Sequence, residues 1–273
     1  MQSLIDYLKE IIQGEKKGRT ASIINFILII LSYIYSLMAK LRYRLYQTGI
    51  KNQKEADIPV ISIGNITTGG TGKTPFTAFL LDNLSKKYKT AVISRGYGAE
   101  KKVDEPFLIK DKGQLYAEPA ESGDELFMLA RSRDNIYIRS AERYEGAKLA
   151  ERKGAELILL DDGFQHYQLQ REIDIVILDA EDPFSNGRVL PAGLLREPFT
   201  SLKRADVFLI NRSENIDFSR IQEIKNSVNT LSPNNRGIFA AETKLEKCIS
   251  ISDKIEEEPS FLNEKKIFAF SGI

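Results

Sequence analysis

The sequence predicts an α/β protein with a mostly parallel sheet flanked by helices, an apolar N-terminal helix and a second, smaller α/β lobe. Three observations carry this prediction. Short apolar runs alternate with amphipathic stretches along most of the chain, two of these runs end in glycine or aspartate, and one apolar run near the N-terminus is much longer than the rest. Strands alternating with helices at this spacing form βαβ units, and βαβ units pair their strands in parallel. With 273 residues there is material for one large α/β domain or two smaller ones.

The long run is Ala21–Ala39, ASIINFILIILSYIYSLMA. Its nineteen residues reach just across a hydrocarbon core of roughly 30 Å. Lys16, Lys17 and Arg19 precede it, and Lys40, Arg42 and Arg44 follow. Residues 1–54 hold nine Lys/Arg against three Asp/Glu, whereas the remainder holds 30 against 35, so the near-neutral total hides a basic N-terminal segment. Basic flanks beside an apolar helix fit a surface of anionic lipid, either as a span or as an interfacial anchor; a soluble docking helix is the alternative. No small-residue cleavage site follows the run, which argues against a secretory signal. Residues 1–54 are therefore expected to form a membrane-anchoring helix and basic linker, with a core over 55–200 and a second lobe over 201–273.

Beyond the polar linker Thr48–Asp57, strands are predicted at Ile58–Ile63, Thr90–Ser94, Val103–Gly113 (with its turn), Asn135–Ile138, Glu156–Leu160, Ile173–Leu178 and Ala205–Ile210. Helices are predicted at Pro75–Lys87, Asp124–Ser132 and Ala141–Lys153. Lys265–Phe270 reads as one more buried strand. A parallel strand needs a covering helix, so the second lobe is expected to be incomplete at its C-terminus. The only cysteine, Cys248, excludes an internal disulfide framework and fits a reducing compartment. A single histidine beside it argues against a Cys/His zinc site or protease.

The strongest local signal is Ile58-Pro-Val-Ile-Ser-Ile-Gly-Asn-Ile-Thr-Thr-Gly-Gly-Thr-Gly-Lys73-Thr74-Pro75. A strand runs into a glycine-rich loop that opens a helix, the context a Walker A motif requires. Gly69, Gly70 and Gly72, with Thr67, Thr68 and Thr71 between and before them, let backbone N–H groups converge on a polyphosphate at a helix N-terminus. Lys73 can bridge the β- and γ-phosphates and the Thr74 hydroxyl can ligate Mg2+, while Pro75 in the first helical turn costs no hydrogen bond. Thr67 stands where the usual motif has glycine. The fold class thus narrows to the P-loop NTPase type, with ATP and Mg2+ as the expected ligands.

Glu156–Leu160 ends in Asp161-Asp162-Gly-Phe-Gln-His166. An apolar strand ending in aspartate sets a carboxylate at the C-terminal edge of the sheet, beside the phosphates, so Asp161 and Asp162 are candidate metal ligands. His166, one turn on, is a candidate for the nucleotide or metal shell; a structural role explains it as well. Ser122-Gly-Asp124-Glu125 opens a helix, where acidic residues act as caps. Phosphoryl transfer to an alcohol also needs a carboxylate to accept the hydroxyl proton, and Asp124 is the candidate. Arg95, in Ser94-Arg-Gly-Tyr-Gly98, sits where a strand meets a flexible loop and suits a phosphate or transition-state charge.

Together these segments resemble the tetraacyldisaccharide 4′-kinases of lipid A synthesis. The resemblance rests on the N-terminal apolar helix, GNITTGGTGKTP at 64–75, SRGYG at 94–98, SGDE at 122–125, Arg143, DDGFQH at 161–166, Asn186-Gly187, LPAGLLREP at 190–198 and the terminal FAFSGI. Leu194 replaces a usual Pro and Glu172 a usual Asp. The resemblance implies transfer of the γ-phosphate of ATP to the 4′-hydroxyl of a tetraacylated glucosamine disaccharide 1-phosphate at the cytoplasmic face of the bacterial inner membrane. It implies nucleotide binding by Thr67–Thr74, Mg2+ at Asp161 and Asp162, and Asp124 as base with Glu125 beside it. That family continues past FAFSGI and supplies a further histidine near the acceptor, so this chain is expected to stop short of it. The partners expected are the lipid A disaccharide precursor and an anionic membrane surface, with no nucleic acid and no obligate protein partner. The competing reading is a membrane-docked P-loop ATPase or GTPase switch, because Asn211-Arg-Ser-Glu214 follows a strand as a guanine-reading Asn-Lys-x-Asp would.

Overall fold

The structure is a computed structural model that describes residues 7, 10–12, 15–101, 103, 105–244, 247–250, 255–263 and 265–266. By its internal contacts the chain divides into Met1–Ala241 and Glu242–Ile273.

The first unit opens with α1, Arg19–Gln47, a helix of 29 residues. Then follow β1 (Val60–Gly64), α2 (Lys73–Leu84), β2 (Thr90–Ser94), β3 (Phe107–Asp111), β4 (Gln114–Leu115), the single turn α3 (Pro119–Ser122) and α4 (Asp124–Ser132). The remainder is β5 (Ile136–Arg139), α5 (Arg143–Arg152), β6 (Leu157–Asp161), β7 (Ile173–Asp179), β8 (Val207–Asn211), α6 (Phe218–Leu231) and β9 (Gly237–Ala240). The nine strands form one sheet in the order β4-β3-β5-β2-β6-β1-β7-β8-β9. From β5 to β9 every neighbouring pair is parallel, and only β3 and β4 run antiparallel at one edge. β1 lies between β6 and β7, so its C-terminal end has neighbours on both sides.

Burial on both faces explains why the central strands read as unbroken apolar runs rather than alternating ones. On one face Val92, Tyr137 and Leu159 pack with Leu81 of α2 and with Leu126, Leu129 and Ala130 of α4. Their sequence neighbours Ala91, Ile93, Ile136, Ile138, Ile158 and Leu160 turn the other way, onto Ala147 and Ala150 of α5. A third cluster joins Val176, Leu178, Phe208 and Ile210 to Ile224 and Val228 of α6.

Residues 201–241 were expected to open a second lobe, yet β8, α6 and β9 extend the same sheet. The signal for α6 was present as Ile221, Ile224, Val228 and Leu231 at helical spacing. It is interspersed with Asn226, Ser227, Asn229 and Thr230, weak helix formers that mask the pattern in the sequence. The second unit holds a two-stranded antiparallel ladder, β10 (Cys248–Ile249) and β11 (Glu256–Glu257), and a 3-10 turn at Pro259–Leu262. The strand predicted at Lys265–Phe270 lies mostly outside the described residues.

α1 is long and apolar enough to cross a membrane. Ile23, Phe26, Tyr33, Leu37, Met38 and Leu41 are all more than half exposed, whereas only Ala21 and Ser32 are buried. The helix is nonetheless fixed to the domain. The Ser32 hydroxyl donates to Val189 O at 2.8 Å, and the Tyr35 hydroxyl donates to Arg196 O at 3.1 Å. Further along, Tyr43 and Tyr46 pack on the Tyr167 ring, and the Arg204 guanidinium lies over Tyr43, Phe164 and Tyr167.

Candidate active site

β1 delivers the chain into the loop 65–72, and α2 starts at Lys73. The loop is held from several sides. Arg196 N donates to Ile66 O at 2.6 Å, Thr68 N donates to Leu194 O at 2.8 Å, and Thr67 bridges to Leu195. The Gln165 amide donates to Asn65 O at 2.9 Å, and the Asn65 amide donates to the Thr71 hydroxyl at 3.0 Å. These bonds leave Gly69 and Gly70 on the open side: an added Cβ at either would meet no atom within 4 Å. The buried Thr67 in place of glycine follows from its bridge to Leu195, which needs extended backbone rather than a positive φ.

β6 pairs with β1 in parallel, Asp161 opposite Ile63, and so places the two aspartates beside the start of α2. Asp161 is 3% exposed, and its Oδ1 has no hydrogen-bond partner. Burial, reinforced by repulsion from Glu125 and Asp162, pushes its carboxyl up to about 6. Asp162 has φ +53 and turns its carboxylate outward. Burial alone would raise it too, but Lys73 at 3.6 Å and Arg196 at 2.8 Å outweigh burial and hold it below the usual carboxylate range. In this geometry Asp162 is therefore an ion-pair partner, with both oxygens taken by Arg196, while Asp161 is the carboxylate left open.

Glu125, from the first turn of α4, accepts a hydrogen bond from the Thr74 hydroxyl at 3.0 Å. This contact joins the helix-opening acidic pair to the phosphate loop. Asp124 is exposed at the same helix start. The approach depends on Gly123, whose φ is +82 and whose Cβ would fall 2.4 Å from Tyr97 O. Only glycine lets the turn before α4 press against the loop after β2, which carries Arg95. Arg95 is exposed, yet near enough to Arg143 and His166 to repel both. Arg143, 4% exposed, donates to Ser140 O at 2.6 Å and lies within the field of Asp161 and Asp162.

His166 is part-buried with Nε2 unpartnered. Burial, together with repulsion from Arg143, Arg171, Arg42 and Arg95, pushes its imidazole down to about 3. It is a neutral group in a basic neighbourhood.

Of the residues singled out from the sequence, Lys73, Thr74, Glu125, Asp161 and Asp162 meet in direct contact or in one local field. Asp124 and Arg95 stand on the rim. Arg196 carries no local signal beyond its place in LPAGLLREP, yet it grips Asp162. Among the described residues no three His, Cys, Asp or Glu side chains gather to hold a metal by themselves. A Mg2+ ion that keeps waters and phosphate oxygens as ligands needs only one or two protein groups. The orphaned Asp161 oxygen and the Thr74 hydroxyl are of that kind.

A glycine-rich loop between a central parallel strand and a helix N-terminus, with lysine and a hydroxyl at the helix start and an acidic strand end beside it, defines a P-loop nucleotide-binding protein. The sequence model of the tetraacyldisaccharide-1-P 4′-kinase family matches residues 24–273, and the chain belongs to that family. The tetraacyldisaccharide 4′-kinase of Halothermothrix orenii is 42% identical over 229 residues, 83% of this chain and 60% of the relative. That of Geobacter sulfurreducens is 39% identical over 213 residues, 77% of this chain and 60% of the relative. The chain thus spans 60% of the length of these two curated relatives. The crystal structure of LpxK from Aquifex aeolicus in complex with ATP is similar with a TM-score of 0.65 and 27% identity, covering 86% of each chain.

Proposed function

We propose that this protein transfers the γ-phosphate of ATP to the 4′-hydroxyl of a tetraacylated glucosamine disaccharide 1-phosphate. The observation that carries the reading is the meeting of Thr74, Glu125 and Asp161 at the mouth of the glycine loop, within a chain of this family. Backbone N–H groups of residues 69–74 and the Lys73 ammonium bind the polyphosphate. Lys73, part-buried with Asp162 at 3.6 Å and Asp161 in the same field, can swing from the carboxylates to the phosphates. Thr74 and Asp161 would hold Mg2+, and the ion would supply neutralisation of charge developing on the phosphates. Arg196 takes both Asp162 oxygens, so Asp162 holds Lys73 only through a long ion pair at 3.6 Å. Asp124 takes the proton from the attacking hydroxyl, with Glu125 orienting Thr74 beside it, and Arg95 faces the charge gathered on the transferred group.

The acceptor is a lipid, and α1 supplies the means of reaching it. Its exposed apolar side chains and its basic flanks favour docking on an anionic bilayer. Dependence on ATP supports the cytoplasmic face of the inner membrane as the face that α1 docks on.

The test is acceptor dependence. Mixed micelles with and without the tetraacyl disaccharide 1-phosphate are given MgATP, and ADP release is followed. The reading predicts ADP release only with acceptor; equal release without it would favour a switch-type ATPase instead.

A further inference from the structure

The motif Asn211-Arg-Ser-Glu214 takes no part in the transfer just described, yet two of its side chains lie against the phosphate loop. β7 and β8 end side by side with Asp179 opposite Asn211, next to β1. Asn211 Nδ2 donates to Thr71 O at 3.0 Å. Arg212 Nη2 donates to Gly70 O at 3.0 Å, and its Nη1 is held by Asp179 Oδ2. The approach is close: a Cβ at Gly72 would fall 2.1 Å from Asn211 Nδ2, and Gly72 has φ +86.

The planarity of the peptide unit gives these bonds their consequence. In a trans peptide the carbonyl of one residue and the N–H of the next point in opposite directions. Holding Gly70 O towards Arg212 therefore turns the N–H of Thr71 away from Arg212. Holding Thr71 O towards Asn211 likewise turns the N–H of Gly72 away from Asn211. Consecutive N–H groups turned to one side make an anion-binding nest. Two carbonyl oxygens that would repel a polyphosphate are thereby kept on the far side of the loop.

We propose that Asn211 and Arg212 are positioning residues that preset two peptide planes of the phosphate loop, and that they do not read the nucleotide base. Their bonds spend Asn211 Nδ2 on Thr71 O and Arg212 on Gly70 O and Asp179, so a role in base reading would fall to the Asn211 amide oxygen, and a changed ATP:GTP preference would report it. Asp179 completes the device by fixing the Arg212 fork from the other side. The inference rests on the reading of this loop as the ATP site.

The test compares Asn211→Ala, Asn211→Asp and Arg212→Ala with the unaltered chain, measuring KM for ATP, KM for the lipid acceptor and the ATP:GTP preference. Asn211→Asp keeps the side-chain shape but replaces the donor with an acceptor facing Thr71 O. KM for ATP is expected to rise about threefold to tenfold in Asn211→Ala and Arg212→Ala, the scale of one hydrogen bond. It should rise at least as far in Asn211→Asp, while KM for the acceptor and the ATP:GTP preference stay put. Packing alone predicts that Asn211→Asp behaves as the unaltered chain, and that result overturns the proposal. A base-reading role predicts a changed ATP:GTP preference, which overturns it as well. Arg212, half-exposed, is the second probe should an Asn211 variant fail to fold. If the unaltered chain does not bind MgATP, the nucleotide reading itself falls; if it binds and the variants match it, only this inference falls.

Discussion

His166 is the only histidine in the chain, so acidification perturbs one imidazole, and its effect can be worked out. Its folded-state value of about 3 lies below the usual value of 6.5. The unfolded chain therefore binds the proton that the folded chain refuses, and stability is lost as pH falls below 6.5. The full benefit is present above that pH. A change of one unit is about 1.4 kcal/mol. Between pH 7 and pH 5 the imidazole thus accounts for a loss of about 2 kcal/mol. Carboxylates also titrate on acidification, so the histidine contribution is isolated as the difference between the unaltered chain and His166→Gln. Urea unfolding at pH 7 and pH 5 should give a smaller loss in the variant, by about 2 kcal/mol. Imidazole NMR signals should show no titration between pH 8 and pH 5. A histidine that titrates near 6.5, or two proteins with equal losses, would refute the claim that burial and the surrounding arginines keep His166 neutral.

The remaining predictions concern the buried ion pair, the apolar helix and the proposed base. Arg204→Ala leaves Glu197, 4% exposed, buried without its partner, so stability should fall by about 3–5 kcal/mol in denaturant unfolding, whereas the double variant Arg204→Met, Glu197→Leu should recover most of it; a single-variant loss below about 1 kcal/mol would contradict this. Leu37→Asp puts a charge among the exposed apolar residues of α1 at a cost of about 3 kcal/mol in a bilayer, so flotation with anionic liposomes should weaken by about a hundredfold while the melting temperature holds; undiminished flotation would place membrane contact elsewhere. Asp124→Asn should slow single-turnover transfer by about 10²–10⁴-fold with MgATP affinity nearly unchanged. Equal loss of affinity and rate would move Asp124 to the metal site, and a lowered melting temperature with normal rate would leave it as a helix cap.

Much of this was legible in the chain because the physics was local. Thr90–Ser94 and Asp124–Ser132 fall where the sequence set them, since a doubly buried parallel strand and an acid-opened helix each leave a pattern in consecutive residues. The strand–loop–helix unit around Lys73 was legible for the same reason. What escaped depends on contacts between segments distant in sequence. Arg196 reaches Asp162 from 34 residues away, and Asn211 reaches Thr71 across 140 residues; nothing next to either residue announces its partner. The division of labour between Asp161 and Asp162 escaped too, because neighbouring aspartates look alike until one is seen buried with an open oxygen and the other paired with cations. The extension of the sheet through β8 and β9 was hidden by the polar residues of α6.

The central claim is transfer of a phosphoryl group from this loop to one hydroxyl of a lipid. The most direct measurement supplies γ-labelled ATP with either the tetraacyl disaccharide 1-phosphate or its 4′-deoxy analogue, and locates the label by phosphorus NMR of the extracted lipid. The account predicts label at the 4′ position of the native acceptor, none on the deoxy analogue, and a loss of about a hundredfold or more in Lys73→Ala. Label released as free phosphate at the same rate with both lipids, or transfer undiminished in Lys73→Ala, would contradict it.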